Sequence, residues 1–186
     1  MKFPVFPLNG AILFPNTNLP LNIFEERYIA MIDYALSHNR LIGMIQTNDN
    51  NEFFNIGCLG KITSFIEKRD GKYQINLEGI SRFKIKKVFE NDYKFFTVEA
   101  ESLNYDNNFK KHTTTISKKI LNNFKNYLKV KKIKFNTTEF ESLDALNLAK
   151  IICVVSPLDY LTKQMLLEFN NSNDLCEGLL SVLEVE

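Results

Sequence analysis

Few side chains in this 186-residue chain could do chemistry: two histidines, His38 and His112, and three cysteines, Cys58, Cys153 and Cys176. A cysteine nucleophile needs a base placed to take its proton. Cys58 falls in a run that reads as a strand and Cys153 in an apolar helical stripe, where a cysteine behaves as a small buried hydrophobe. Three cysteines cannot all pair, and none has CxxC spacing, which argues for a reducing compartment, the cytoplasm, and against structural zinc. GCLGKI is the nearest approach to a phosphate loop. That loop needs GxxxxGK followed by Ser or Thr, so that backbone amides cradle phosphate and a hydroxyl ligates magnesium. Gly57, Gly60 and Lys61 have the wrong spacing, and Ile62 stands where the hydroxyl is required. Catalytic residues: none are expected. Cofactors and metals are likewise expected to be none.

The charged candidates point to binding rather than reaction. Glu25 and Glu26 sit in the first turn of a helix, where the macrodipole favours negative charge, and Arg27 can pair with one of them or meet a ligand. Over residues 110–134 lysines accumulate, and Lys118, Lys125 and Lys129 share the polar side of an amphipathic helix. No arginine is among them and no aromatics are interleaved on that face, so the segment reads as a solvated surface. The alternative is an RNA-binding surface built on the same lysines.

These residues need elements to position them. With 45% hydrophobic and 24% charged residues the composition is that of a globular protein, and a net charge of +1 gives no reason to expect nucleic acid or an acidic membrane. Pro4, Pro7, Pro15 and Pro20 interrupt any apolar helix at the N-terminus, and no segment reaches the roughly 18–20 apolar residues of a membrane span. Up to about residue 103 the pattern has period two, with Tyr73, Ile75 and Leu77 alternating with polar residues. Asp70-Gly71 predicts a type I′ hairpin between CLGKITSFIEK and KYQINLEG, with further strands at 83–89 and 94–103. Arg82 is expected at the surface or a barrel end, and Phe83 in the core. Tyr28, Met31, Ile32, Ala35 and Leu36 predict one helix at about 25–38, and LIGMIQ a buried strand after it. Beyond residue 104 the period becomes helical: Ile116, Ile120, Phe124 and Tyr127 line one face. Thr138 with Glu141, and Asp174 with Glu177, read as capping boxes, and Ser156-Pro157 ends one helix and opens the next.

Taken in order, FPL, LFP, LPLNIFEERY, IG, GCLGKI, DG, GISRF and KQMLLE resemble the amino-terminal, substrate-binding domain of the ATP-dependent Lon protease, over nearly the whole chain. The resemblance implies an α+β fold: a PUA-like antiparallel β pseudobarrel with one helix over residues 1–103, then an α-helical bundle subdomain over 104–186. It implies a non-enzymatic module, since the ATPase and Ser-Lys protease modules of that family are absent from these residues. Its expected partners are unfolded or specific polypeptides, alone or with a separately encoded protease, as an adaptor or holding factor. Asn22 and Gly178 depart from the residues common in the family, so no site transfers residue by residue. The candidate polypeptide-binding residues are Asn9 and Gly10 of a turn, Phe14 and Pro15 of a corner, and Glu25, Glu26 and Arg27 at the helix start.

Overall fold

The computed structural model describes residues 1–89, 94–105 and 113–185. The chain divides into two compact units, Met1–Asn104 and Tyr105–Glu186. In the first, six strands, β1 (Lys2–Pro7), β2 (Asn18–Ile23), β3 (Leu41–Ile45), β4 (Ile56–Glu67), β5 (Tyr73–Phe89) and β6 (Thr97–Leu103), accompany one helix, α1 (Glu26–Ser37).

β5 closes the sheet. One of its edges pairs β4; the other pairs β2 through residues 73–78 and then β6 through residues 82–89. Because β6 also pairs β1, β1 pairs β3 and β3 pairs β4, five strands form a ring, and β2 hangs beside it on β5. All pairings are antiparallel except β1–β3, so the sheet is mixed and mostly antiparallel, as expected. The chain returns from β1 to β3 through β2 and α1, and only such a crossover can set two strands parallel.

The two expected strands at 72–79 and 83–89 are one. Ile80 drops out of the register with β4, where Leu59 faces Ser81 and Gly60 faces Gly79, and this bulge bends β5 without ending it. Near the bulge, Phe83 enters the interior of the ring with Phe3, Val5, Ile45, Leu59 and Val98, its ring edge-on to Phe3 at 5.0 Å. Arg82, expected at the surface or a barrel end, is buried, 1% exposed, and its guanidinium donates to the Asn104 carbonyl at 3.4 Å. A second core lies under α1, whose Tyr28, Met31, Ile32 and Ala35 pack with Ile42 and Leu77. The hairpin at Asp70-Gly71 exists, but only Gly71 has positive φ, 76°, and its N–H bonds the Lys68 carbonyl. A single left-handed residue after an ordinary turn is a three-residue connection with a bulge, not type I′.

The second unit holds α2 (Thr113–Val130), a 3-10 turn (Thr138–Ser142), α3 (Ala145–Val155), α4 (Tyr160–Glu168) and α5 (Ser172–Val185). Ile120, Phe124 and Tyr127 form the buried face of α2, which packs on α3 and α5. The expected capping boxes are displaced. Leu143 is extended, which ends the 3-10 turn, and Asp144 caps α3 by accepting from Leu146 and Asn147 N–H. At α5 the cap is Asn171, whose side chain accepts from Asp174 N–H at 2.8 Å. Among the described residues no helix is long and apolar enough to cross a membrane.

Candidate functional site

The proline-rich opening stretch resolves into two parts with opposite roles. Residues 14–17 form a tight turn, with Pro15 followed by Asn16 at φ 63° and Thr17 N–H bonded to the Phe14 carbonyl at 3.1 Å. Proline then a left-handed residue is the type II pattern, and Asn is among the few side chains that accept that conformation. The Thr17 hydroxyl seals it, donating to Phe14 O at 2.8 Å and accepting from Phe14 N at 3.1 Å. This turn lies directly on β5. Asn16 N–H bonds Gly79 O and Gly79 N–H bonds Thr17 O, both at 2.9 Å, and a Cβ at Gly79 would come within 2.0 Å of the Phe14 carbonyl oxygen. Phe14 is 0% exposed and Pro15 is buried, so neither offers a side chain to a ligand.

Asn9 and Gly10 are exposed but structurally engaged: Asn9 Oδ1 accepts from Thr47 N–H at 2.7 Å, and Gly10 N–H donates to Gln46 Oε1 at 3.1 Å. They staple the β1–β2 connection to the end of β3. Glu25, Glu26 and Arg27 are open to solvent. Arg27 Nε donates to Glu25 Oε2 at 3.0 Å and its guanidinium lies 4.4 Å from the centre of the Tyr28 ring, while Lys94 reaches Glu26 at 3.2 Å. Such exposed pairs hold little stability and leave the side chains available. Tyr28 ties this helix start to the end of β1, its hydroxyl donating to Pro7 O at 3.4 Å.

A feature that sequence patterning missed lies beside this helix start. β2 is the outer strand of the β2–β5–β4 ladder, and β3 covers β4 only as far as Lys61. Among the described residues, then, no strand pairs the outer edge of β2 or residues 63–67 of β4. At that end, where Ile23 and Glu67 both face Tyr73, three large apolar side chains stand in solvent: Phe24 at 65%, Phe65 at 41% and Ile66 at 63% exposure. Phe65 packs its ring 6.3 Å from Tyr73. For Phe24 the sequence trace is an apolar residue just past the end of its strand.

The cysteines and His38 are accounted for by packing. Cys58, Cys153 and Cys176 are buried; burial raises the Cys153 thiol far above its usual range and pushes Cys176 up to about 12, so both stay protonated and inert near neutrality. The His38 ring stacks on Tyr34 at 4.1 Å, its Nδ1 2.7 Å from the Tyr34 carbonyl; His112 lies outside the described residues. No group of three metal-ligating side chains occurs among the described residues. Lys118 and Lys129 are exposed on α2, and Lys125 pairs Glu141 at 3.0 Å.

Comparison with known proteins agrees with this architecture. The family model for the ATP-dependent protease La (LON) substrate-binding domain matches residues 2–185. Across its whole length the chain is 27% identical to a Lon protease of Buchnera aphidicola subsp. Baizongia pistaciae and 24% identical to one of Escherichia coli K12, in each case spanning 25% of that protein. The chain thus spans about a quarter of the length of the curated relatives it matches. The fold is that of the N-terminal domain of a Mycobacterium avium complex Lon protease, with a TM-score of 0.78 at 16% identity over all of both chains. It is also that of a Lon N-terminal domain protein from Xanthomonas campestris, with a TM-score of 0.73 at 18% identity over 97% of this chain and 98% of the other. A barrel of this topology followed by five helical segments, and a family model covering all but the terminal residues, lead to one conclusion: the chain belongs to the LON substrate-binding domain family.

Proposed function

We propose that this chain recognises extended, apolar segments of non-native polypeptide, and that it does so by binding alone, as an adaptor or holding module without a reaction of its own. One observation carries the reading: Phe24, Phe65 and Ile66 are each exposed at the end of a ladder whose two outer edges no strand pairs among the described residues. An unpaired edge offers backbone N–H and C=O groups to a further strand, and apolar side chains beside it take up alternate residues of the guest. Glu25, Glu26 and Arg27 form the polar rim next to Phe24. Asn9, Gly10, Phe14 and Pro15 hold the scaffold.

Affinity is of about micromolar order, because a shallow edge must offset the ordering of a flexible guest. Fluorescence anisotropy with a labelled, permanently unfolded protein, and with the same protein folded, tests this at low and high salt. The expected result is salt-resistant preference for the unfolded form, weakened severalfold in Phe24→Ser and Phe65→Ser/Ile66→Ser variants that retain their far-UV spectrum. Equal affinity for both forms, or binding indifferent to these substitutions, overturns the proposal.

A further inference from the structure

The helical unit carries a second surface of different chemistry. Residues 113–138 contain seven lysines and no acidic residue. Lys119 pairs Glu184 at 3.5 Å and Lys125 pairs Glu141 at 3.0 Å, whereas Lys118, Lys129, Lys132 and Lys134 make no ion pair among the described residues. At the C-terminal end of α2 two of them, Lys129 and Lys134, line an open groove of about 610 Å³ together with Lys125, over a floor of Leu128, Ile133 and Phe135. That volume falls in the range of roughly 300–1,000 Å³ typical of ligand-binding clefts.

The groove is built by the way α2 ends. Ile133 N–H bonds Leu128 O at 2.8 Å and Lys132 N–H bonds Lys129 O at 3.1 Å, the paired bonds of a Schellman ending. Lys132 occupies its left-handed position, at φ 56°, where glycine is the usual residue. The chain is thereby turned back so that Ile133 and Phe135, 36% and 42% exposed, lie beside the last turn of the helix. Phe135 is held from behind, its ring centre 6.1 Å from that of Phe124 and 5.6 Å from that of Phe140. Lys129 complements the negative end of the helix dipole; Lys134, beyond the helix, has no such structural reason to be there.

We infer that this groove binds an acidic, apolar segment of polypeptide, with an apolar side chain on the floor and flanking carboxylates facing Lys129 and Lys134. The inference takes from the preceding reading only the class of partner. Charge complementarity decides the sign of the guest, and the apolar floor decides against nucleic acid. Proteins that follow a single strand stack successive bases on several aromatic rings, whereas here Phe135 is the one aromatic on the floor, no arginine takes part, and Glu141 adds negative charge beside the rim.

Anisotropy titrations with three labelled probes test it: a short peptide alternating Glu and Phe, the same peptide with Lys in place of Glu, and an oligouridylate of equal length. The Glu-Phe peptide is expected to bind best, and about tenfold more weakly to a Lys129→Glu/Lys134→Glu variant. Lys129→Gln/Lys134→Gln and Phe135→Ser are expected to give smaller losses, with helix content checked by circular dichroism. Unfolded-protein binding through the barrel unit is expected to survive the charge reversal, so failure of one reading is distinguishable from failure of the other. Equal binding of the acidic and basic peptides, indifference of the acidic peptide to both charge variants, or tighter binding of the oligouridylate that the charge reversal abolishes would each overturn the inference, the last in favour of RNA.

Discussion

Phe14 and Phe24 stand in one proline-rich apolar stretch and read alike in sequence, yet one is 0% and the other 65% exposed. What separates them is the strand each one meets. The turn of Phe14 rests on β5 at Gly79, the one residue type whose missing Cβ admits its carbonyl. Phe24 follows Ile23, the last residue of β2 to find a partner on β5, and so passes the end of the ladder. Burial here is decided by the partner, not by the side chain. The barrel unit thus uses one half of its opening stretch as structure and leaves the other half available.

Substitutions in the two halves should separate widely. Phe14→Ala is expected to cost about 3–5 kcal/mol, the range for removing a fully buried aromatic ring, as read by urea denaturation. Gly79→Ala attacks the same contact from the other side and should cost about 1–3 kcal/mol, since its Cβ meets backbone that cannot rotate away. If either substitution is silent, the turn is not the support described here.

Asp159 gives a smaller and pH-dependent effect in the helical unit. Its carboxylate caps α4, accepting from Leu161 and Thr162 N–H, both at 3.0 Å. Bonds from the Thr162 hydroxyl and then from the Thr162 amide hold it below the usual Asp value. A lowered folded-state pKa means that this stabilisation is fully present above the unfolded value near 4 and is lost as pH falls through the lowered one. Asp159→Ala should therefore cost about 1 kcal/mol near neutral pH, and the gap from the unsubstituted chain should close in acid. A gap that acid leaves unchanged would show that the side chain acts through packing instead. Phe24→Ser is the smallest effect expected on stability, within about 0.5 kcal/mol, although it should weaken binding.

Local patterning reached the elements better than their joints. The spacing of Tyr28, Met31, Ile32 and Ala35 located α1, and that of Ile120, Phe124 and Tyr127 located the buried face of α2, because a helix face is written in near neighbours. The parallel β1–β3 pair depends on where a crossover returns, which near neighbours do not encode. β5 looked like two strands because Gly79, Ile80 and Ser81 break the alternation, although in the sheet they form a bulge. The box formed by Thr138 and Glu141 met the spacing rule but lost to Asp144, since extended backbone at Leu143 ends the first turn. For the candidate site, the exposure of Glu25 and Arg27 follows from their charge. That of Phe24, Phe65 and Ile66 follows only from which strand edges find no neighbour, and the burial of Phe14 only from Gly79.

Amide chemical-shift mapping on titration with an unfolded polypeptide tests the central claim most directly. Perturbations are expected along β2 to Phe24 and along residues 63–67 of β4, whose outer edges no strand pairs among the described residues, with the turn at residues 14–17 unmoved. Shifts confined to that turn, or to the helical unit, would contradict the assignment of polypeptide recognition to the open end of the barrel ladder.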